Sequence, residues 1–174
     1  TPLLGSASLI IMLLVPLMSM RLLSDEYRSG TIGLLLSAPV SISAIVLGKY
    51  LALVLFLTLL LAVAAAMPLS LLLGGDLDLG KLSAGLLGLE LALAGFAAIG
   101  LFFSSVTSRP TVAASASYGL LLFLWVINLA AGTDGKGSAL FTWLSPISHL
   151  QNMFSGLVSS ADLVYFLLLT GGFL

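Results

Sequence analysis

The chain has no cysteine, a single histidine and very little charge: six Lys and Arg against seven Asp and Glu in 174 residues. Without cysteine there are no disulfides, thiolate metal ligands or cysteine nucleophiles. Charged residues make up 7% and hydrophobic residues 60% of the chain, whereas an ordinary soluble domain carries roughly a quarter charged. No Gly-rich loop ending in Lys-Ser/Thr is present, so the chain has no phosphate loop with which to hydrolyse ATP. Nothing in this composition calls for a nucleic-acid partner or a cofactor. Before the first apolar run there is no basic segment, which argues against a cleaved signal peptide.

What is present is long apolar sequence. Residues 51–73 and 91–103 are apolar or small all the way round, as membrane helices are and soluble surface helices are not. The reading is an all-α polytopic helix bundle with five membrane-embedded segments. The first covers about 2–23, with a kink expected at Pro16. The second covers about 41–73, with Ser41 as N-cap and a break expected near Pro68. The third covers 82–106, and the fourth 111–131 with Pro110 at its first position. The fifth starts at Asp162 and has too few residues after it to cross, so the expectation is a single domain over 1–174 that is a piece of a longer protein. Residues 74–78 and 132–138 are external turns. The stretch 141–160 is too polar to span and is expected at the outer interface as one or two short helices, with Trp143 at headgroup depth.

The few charges are unevenly distributed. Arg21, Arg28, Lys49 and Arg109 fall in loops of one side, while Lys81 and Lys136 on the other side are accompanied by Asp76, Asp78 and Asp134. The positive-inside rule therefore puts the first set in the cytoplasm. Between the first two apolar runs, Arg21, Asp25, Glu26 and Arg28 lead into a glycine break at Gly30, a short apolar turn of helix and a stop at Pro39. A loop that only joined two helices would need less, so this stretch reads as a structured element for a partner outside the bilayer. Solvated helix-end charges with no partner are the plainer alternative.

Three further features carry candidate chemistry. Glu90 lies within the third span, where a bare charge costs about 2.5–3.5 kcal/mol on insertion scales, so it should be protonated, paired or beside a wet cavity. It is a candidate for a transport path, as is Asn128 in the fourth span, although a hydrogen bond to a neighbouring helix is the favoured reading of Asn128 over contact with a substrate. His149 has no cysteine to complete a metal site and is expected to be an interfacial hydrogen-bonding group. Gly85, Gly88, Ala92, Gly95 and Ala98 form a small-residue face that allows close helix approach, either within one subunit or across a dimer.

The block Met20-Arg21-Leu22-Leu23-Ser24-Asp25-Glu26-Tyr27-Arg28-Ser29-Gly30-Thr31 is followed by Leu34-Leu35-Leu36-Ser37-Ala38-Pro39-Val40-Ser41 and Ile45-Val46-Leu47-Gly48-Lys49. It resembles the permease subunits of type-2 ATP-binding-cassette transporters, in particular the group that includes gliding-motility and copper-enzyme-maturation permeases. Ala98-Ile99-Gly100-Leu101-Phe102-Phe103-Ser104-Ser105-Val106-Thr107 and Leu144-Ser145-Pro146-Ile147-Ser148-His149-Leu150-Gln151-Asn152 agree in order. Two positions depart from the pattern: Ala44 stands where an acidic residue often completes a capping box, and Glu90 stands where a small or apolar residue is ordinary.

The resemblance implies six spans, of which this chain would hold the second to most of the sixth. It implies no enzymatic activity, a cytoplasmic ATPase partner, a second permease subunit, surrounding lipid, and a multi-pass place in a bacterial or archaeal inner membrane. It also implies that the segment carrying Asp25, Glu26, Arg28, Gly30, Thr31, Leu35 and Pro39 couples to the ATPase of an exporter. Competing readings are an intramembrane enzyme built on Glu90 or His149, and a non-transporting scaffold that recruits a cytosolic protein. The side assignment has a direct test in a chain free of cysteine. Cysteines introduced at Ser29 and Gly135 should label from opposite faces of the membrane, Gly135→Cys from outside without permeabilisation.

Overall fold

The computed structural model describes residues 10, 13–37, 39–70, 78–131 and 138–174, and all side chains there except those of 35, 36, 67–70, 128–131 and 138–140. The beginning of the first span, the turn at 74–77 and the loop at 132–137 lie outside the described residues. Among the described residues all regular structure is helical. The order is α1 (13–19), α2 (Ser24–Ser29), α3 (Ile32–Ser37), α4 (Ile42–Ser70), α5 (Leu79–Val106), α6 (Pro110–Ala131), α7 (Ser138–Leu144), α8 (Pro146–Phe154) and α9 (Ser160–Phe173).

Three of these are long and apolar enough to cross a membrane: α4 over 42–66, α5, and α6 over 110–127. At 1.5 Å per residue α9 reaches about 21 Å, short of a bilayer core of about 30 Å. Pro68 does not break α4, whose backbone stays helical to Ser70. Helical residues in α1 likewise run through Pro16 to Ser19, then give way to a turn at 20–23, so the first helix stops before Leu23.

The centre of the bundle is α5. Of its most apolar window 61% is buried inside the chain, against 17% for α4 and 28% for α6, so α4 and α6 keep most of their apolar surface for the surroundings. Helix α5 packs against α4, α6, α8 and α9 at once. Its small residues allow this. A Cβ on Gly88 would meet Met153 of α8 at 3.1 Å, and one on Gly95 would meet Leu169 of α9 at 2.7 Å. A Cβ on Gly100 would fall 1.7 Å from the Ser19 hydroxyl, so only glycine permits that approach between α5 and the end of α1. The small-residue face is thus occupied within the subunit at Gly88 and Gly95.

Helix ends follow local sequence. Asp78 caps α5 by accepting from the Gly80 and Lys81 amides, and those bonds, the Lys81 amide foremost, hold its carboxyl below the usual range. The Ser41 hydroxyl accepts from Ala44 N at 3.3 Å at the start of α4. Ser145 with Pro146 at the first position starts α8, and Ser159 with Asp162 forms a capping box on α9. Helix α8 buries Pro146, His149, Leu150 and Met153 at helical spacing and exposes Gln151 and Asn152, an amphipathic pattern suited to an interface.

Helix α2 has no side-chain cap of its own. The cap comes from α5: Ser104 Oγ, fully buried, accepts from Leu23 N at 3.0 Å and Ser24 N at 3.1 Å, and donates to Met20 O at 3.0 Å. One hydroxyl thereby satisfies two buried amides and a carbonyl in the turn between α1 and α2. Ser104→Ala should destabilise the fold by about 2–4 kcal/mol, the cost of leaving such groups unpaired. Hydrogen exchange should show the loss concentrated at residues 20–29, and uniform exchange across the chain would contradict this anchoring role.

Candidate functional site

Most of the residues singled out in the sequence lie at one end of the bundle, the end that holds Arg21, Arg28, Lys49 and Arg109. Helix α2 carries Asp25 and Glu26 in its first turn and Arg28 in its last, the arrangement that complements a helix dipole. Gly30 follows at φ 72°, a left-handed conformation that ends α2 and turns the chain into α3. The Thr31 and Ser29 hydroxyls lie 2.9 Å apart across this turn. Helix α3 ends at Ser37, Pro39 follows, and Leu34 on its surface is 75% exposed. The Leu35 side chain lies outside the described residues.

The two acids of α2 have different surroundings. Asp25 is exposed and makes no ion pair among the described residues, whereas Glu26 is half-buried and its Oε1 lies 2.5 Å from Lys49 Nζ. Lys49 also donates to Leu22 O at 2.6 Å, so the base of α4 is tied to both the α1–α2 turn and α2. The second Glu26 oxygen is buried with no hydrogen-bond partner among the described residues. Glu26 is therefore engaged inside the chain, and Arg28 and Asp25 are the charges of α2 left for contacts outside it.

Glu90 stands apart from this end. Helix α5 begins at Leu79, so Glu90 is about 16 Å along the helix from that end, deeper than its place in a span starting at Leu82. Its Oε1 lies 2.5 Å from Thr58 Oγ1 of α4, and its other oxygen is buried without a partner among the described residues. Thr58 Oγ1 also lies 2.8 Å from Val54 O. A threonine has one hydroxyl proton to give. The hydroxyl therefore shares that proton between Val54 O and the Glu90 carboxyl. Nearby, Tyr50 of α4 donates to Ala94 O of α5 at 3.1 Å. The Asn128 side chain lies outside the described residues.

His149 has a partner that its sequence neighbourhood hides. Asp162, thirteen residues on, brings Oδ1 to 2.5 Å from Nδ1, and both side chains are buried. Nε2 is 2.9 Å from the Trp143 carbonyl, which only accepts, so Nε2 carries a hydrogen and donates. The ring stacks on Tyr165 at 4.3 Å, and Tyr165 donates to Leu144 O at 2.8 Å. One cluster thus joins α7, α8 and α9. The nitrogen that a catalytic dyad would turn towards a nucleophile is used on a backbone carbonyl, which makes this a structural device. Among the described residues no three His, Asp or Glu groups converge to hold a metal.

The family model for ABC-2 family transporter proteins matches residues 6–171, nearly the whole chain. The chain belongs to this family. No curated protein and no solved structure gave a match. Membership makes the chain a permease component of an ABC transporter and a membrane protein, whose family partner is an ATPase subunit. It points to a transporter membrane subunit rather than a catalytic enzyme, in line with the occupied His149 ring.

In the ABC-2 permease the Glu90 geometry yields a prediction. Glu90→Gln keeps both a donor and an acceptor for Thr58, and should change stability in detergent by less than about 1 kcal/mol, the scale of one net hydrogen bond. A Gln variant that fails to insert while Glu90→Asp is normal would show that the charge itself is required.

Proposed function

We propose that this ABC-2 permease is the transmembrane subunit of an ATP-driven exporter in a bacterial or archaeal inner membrane, working as a homo- or heterodimer with separate cytoplasmic ATPase subunits. Within the family, the 20–31 block favours the group with gliding-motility and copper-enzyme-maturation permeases. Residues 1–174 act as one transmembrane permease domain with the α2–α3 end in the cytoplasm, as the basic loops favour. Glu90 and Asn128 are its candidates for a transport path.

The observation that carries this reading is the α2–α3 element. It is an exposed pair of short helices, joined at Gly30 and fastened to α5 through Ser104 and to α4 through Glu26 and Lys49. The other described loop at that end, 107–109, is too short to present more than a turn. A transporter subunit without its own nucleotide site needs a rigid projection through which ATPase motion reaches the bundle. This element, with Asp25, Glu26, Arg28, Gly30, Thr31, Leu35 and Pro39, supplies one.

Removing one partner of a buried charged contact costs about 2–5 kcal/mol, enough to be seen in copurification. Arg28→Glu should weaken ATPase association or uncouple hydrolysis from transport. Glu26→Lys should do so indirectly, by setting two cations against each other, and Lys49→Glu in the same chain should restore much of the loss. Reversal at 26 and 28 together with no change in ATPase binding, stimulated hydrolysis or transport would reduce the element to a solvated loop.

A further inference from the structure

Beside α2, on the side lined by Arg28, lies a cleft of about 620 Å³. Its lining includes Arg21 from the α1–α2 turn, Asp25 and Arg28 from α2, and Arg109 and Pro110 from the start of α6, with Met20 alongside. Three guanidinium groups share it with one carboxylate, and none of the three forms an ion pair among the described residues. The first turn of α6 contains no acid. Three cations around one cleft repel each other, and the single Asp25 cannot neutralise them.

The position of the cleft narrows the choice of counter-charge. Met20 follows the last residue of α1, and Pro110 is the first residue of a helix long and apolar enough to cross a membrane. One turn into these helices and at the end of α5, Leu17, Val112 and Val106 are exposed apolar side chains. The cleft therefore opens where apolar surface gives way to charge, the depth of lipid headgroup phosphates. At the ends of two membrane helices lipid phosphate is already concentrated, so this counter-charge is present whether or not a soluble partner is bound. Arginine suits the task, because its planar fork binds phosphate oxygens in pairs.

We propose that this cleft is a binding site for the phosphate headgroup of an anionic phospholipid, held by Arg21, Arg28 and Arg109 with its acyl chains along the apolar ends of the neighbouring helices. Such a lipid bridges the α1–α2 turn to α6. Basic pockets between membrane helices are a general means of holding anionic headgroups, with each basic side chain contributing roughly a fivefold gain in affinity.

The test uses the permease without its ATPase, so that it stands apart from the coupling reading. The protein in detergent is offered phosphatidylglycerol and phosphatidylcholine of identical acyl chains in equal amounts, and bound lipid is counted by native mass spectrometry. The expected result is a preference for phosphatidylglycerol of roughly tenfold or more, falling as salt is raised and unaffected by millimolar inorganic phosphate. Arg21→Gln with Arg109→Gln should bring the two lipids close to parity, with helical content unchanged. No preference in the unaltered protein, or the same preference in the double variant, overturns the proposal. Displacement by inorganic phosphate would mark an anion site with no lipid requirement and also overturns it. In a separate copurification with the ATPase, a double variant that keeps its lipid preference and loses the ATPase would mark the cleft as a protein contact and likewise overturns the proposal.

Discussion

The arrangement at the basic end depends on the buried hydroxyl of Ser104. Helix α2 has only six residues, too few to hold itself together in isolation, because the cost of its first turn is not recovered over so short a length. It also starts without a cap from its own sequence. Two unpaired amides in a buried turn would add several kcal/mol to that deficit. Ser104 removes the deficit by donating and accepting at once, from a helix that is itself packed on four sides. The α2–α3 element is therefore as well placed as α5, the most buried of the three long described helices. The contact between Gly100 and Ser19, one turn further in, keeps α1 close enough for the hydroxyl to reach.

Much of this organisation could be read along the chain, for physical reasons that are local. The apolar runs, the proline at the start of α6, the Ser41 cap, the glycine that ends α2 and the polar break at Ser145-Pro146 each act over a few residues. What escaped was long-range. Ser104 looks like one polar residue among several in 104–108, and only its contact with residues 20–24 gives it a task. Glu26 and Lys49 are 23 positions apart, so their pairing depended on how α2 lies against α4. His149 has no carboxylate near it in sequence and Asp162 reads as the start of a span, yet the capping box of α9 turns that side chain towards α8. The break anticipated at Pro68 is absent, since α4 continues through the proline for a further two residues.

The division of charge on α2 has a mechanical consequence. Glu26 and Lys49 fasten one face to α4, Ser104 fastens the beginning to α5, and Asp25 and Arg28 line the cleft towards α6. A force applied to α3 reaches the membrane helices by two routes, through α2 and these attachments and along the chain into α4, which begins at Ile42. Lys49 is about 13 Å along α4 from Thr58, and Ser104 about 21 Å along α5 from Glu90. The same two helices that receive the anchors therefore meet again at the Thr58–Glu90 contact, deep in the bundle. Sliding of α4 against α5 cannot leave both ends undisturbed: either the anchor at Lys49 yields, or the carboxyl of Glu90 loses the hydroxyl that accommodates it. An acidic group in that position, costly in any apolar span, then becomes a point where relative motion of the two helices changes the energy of a buried polar contact. This gives Glu90 a physical connection to the α2–α3 element without requiring it to touch a substrate.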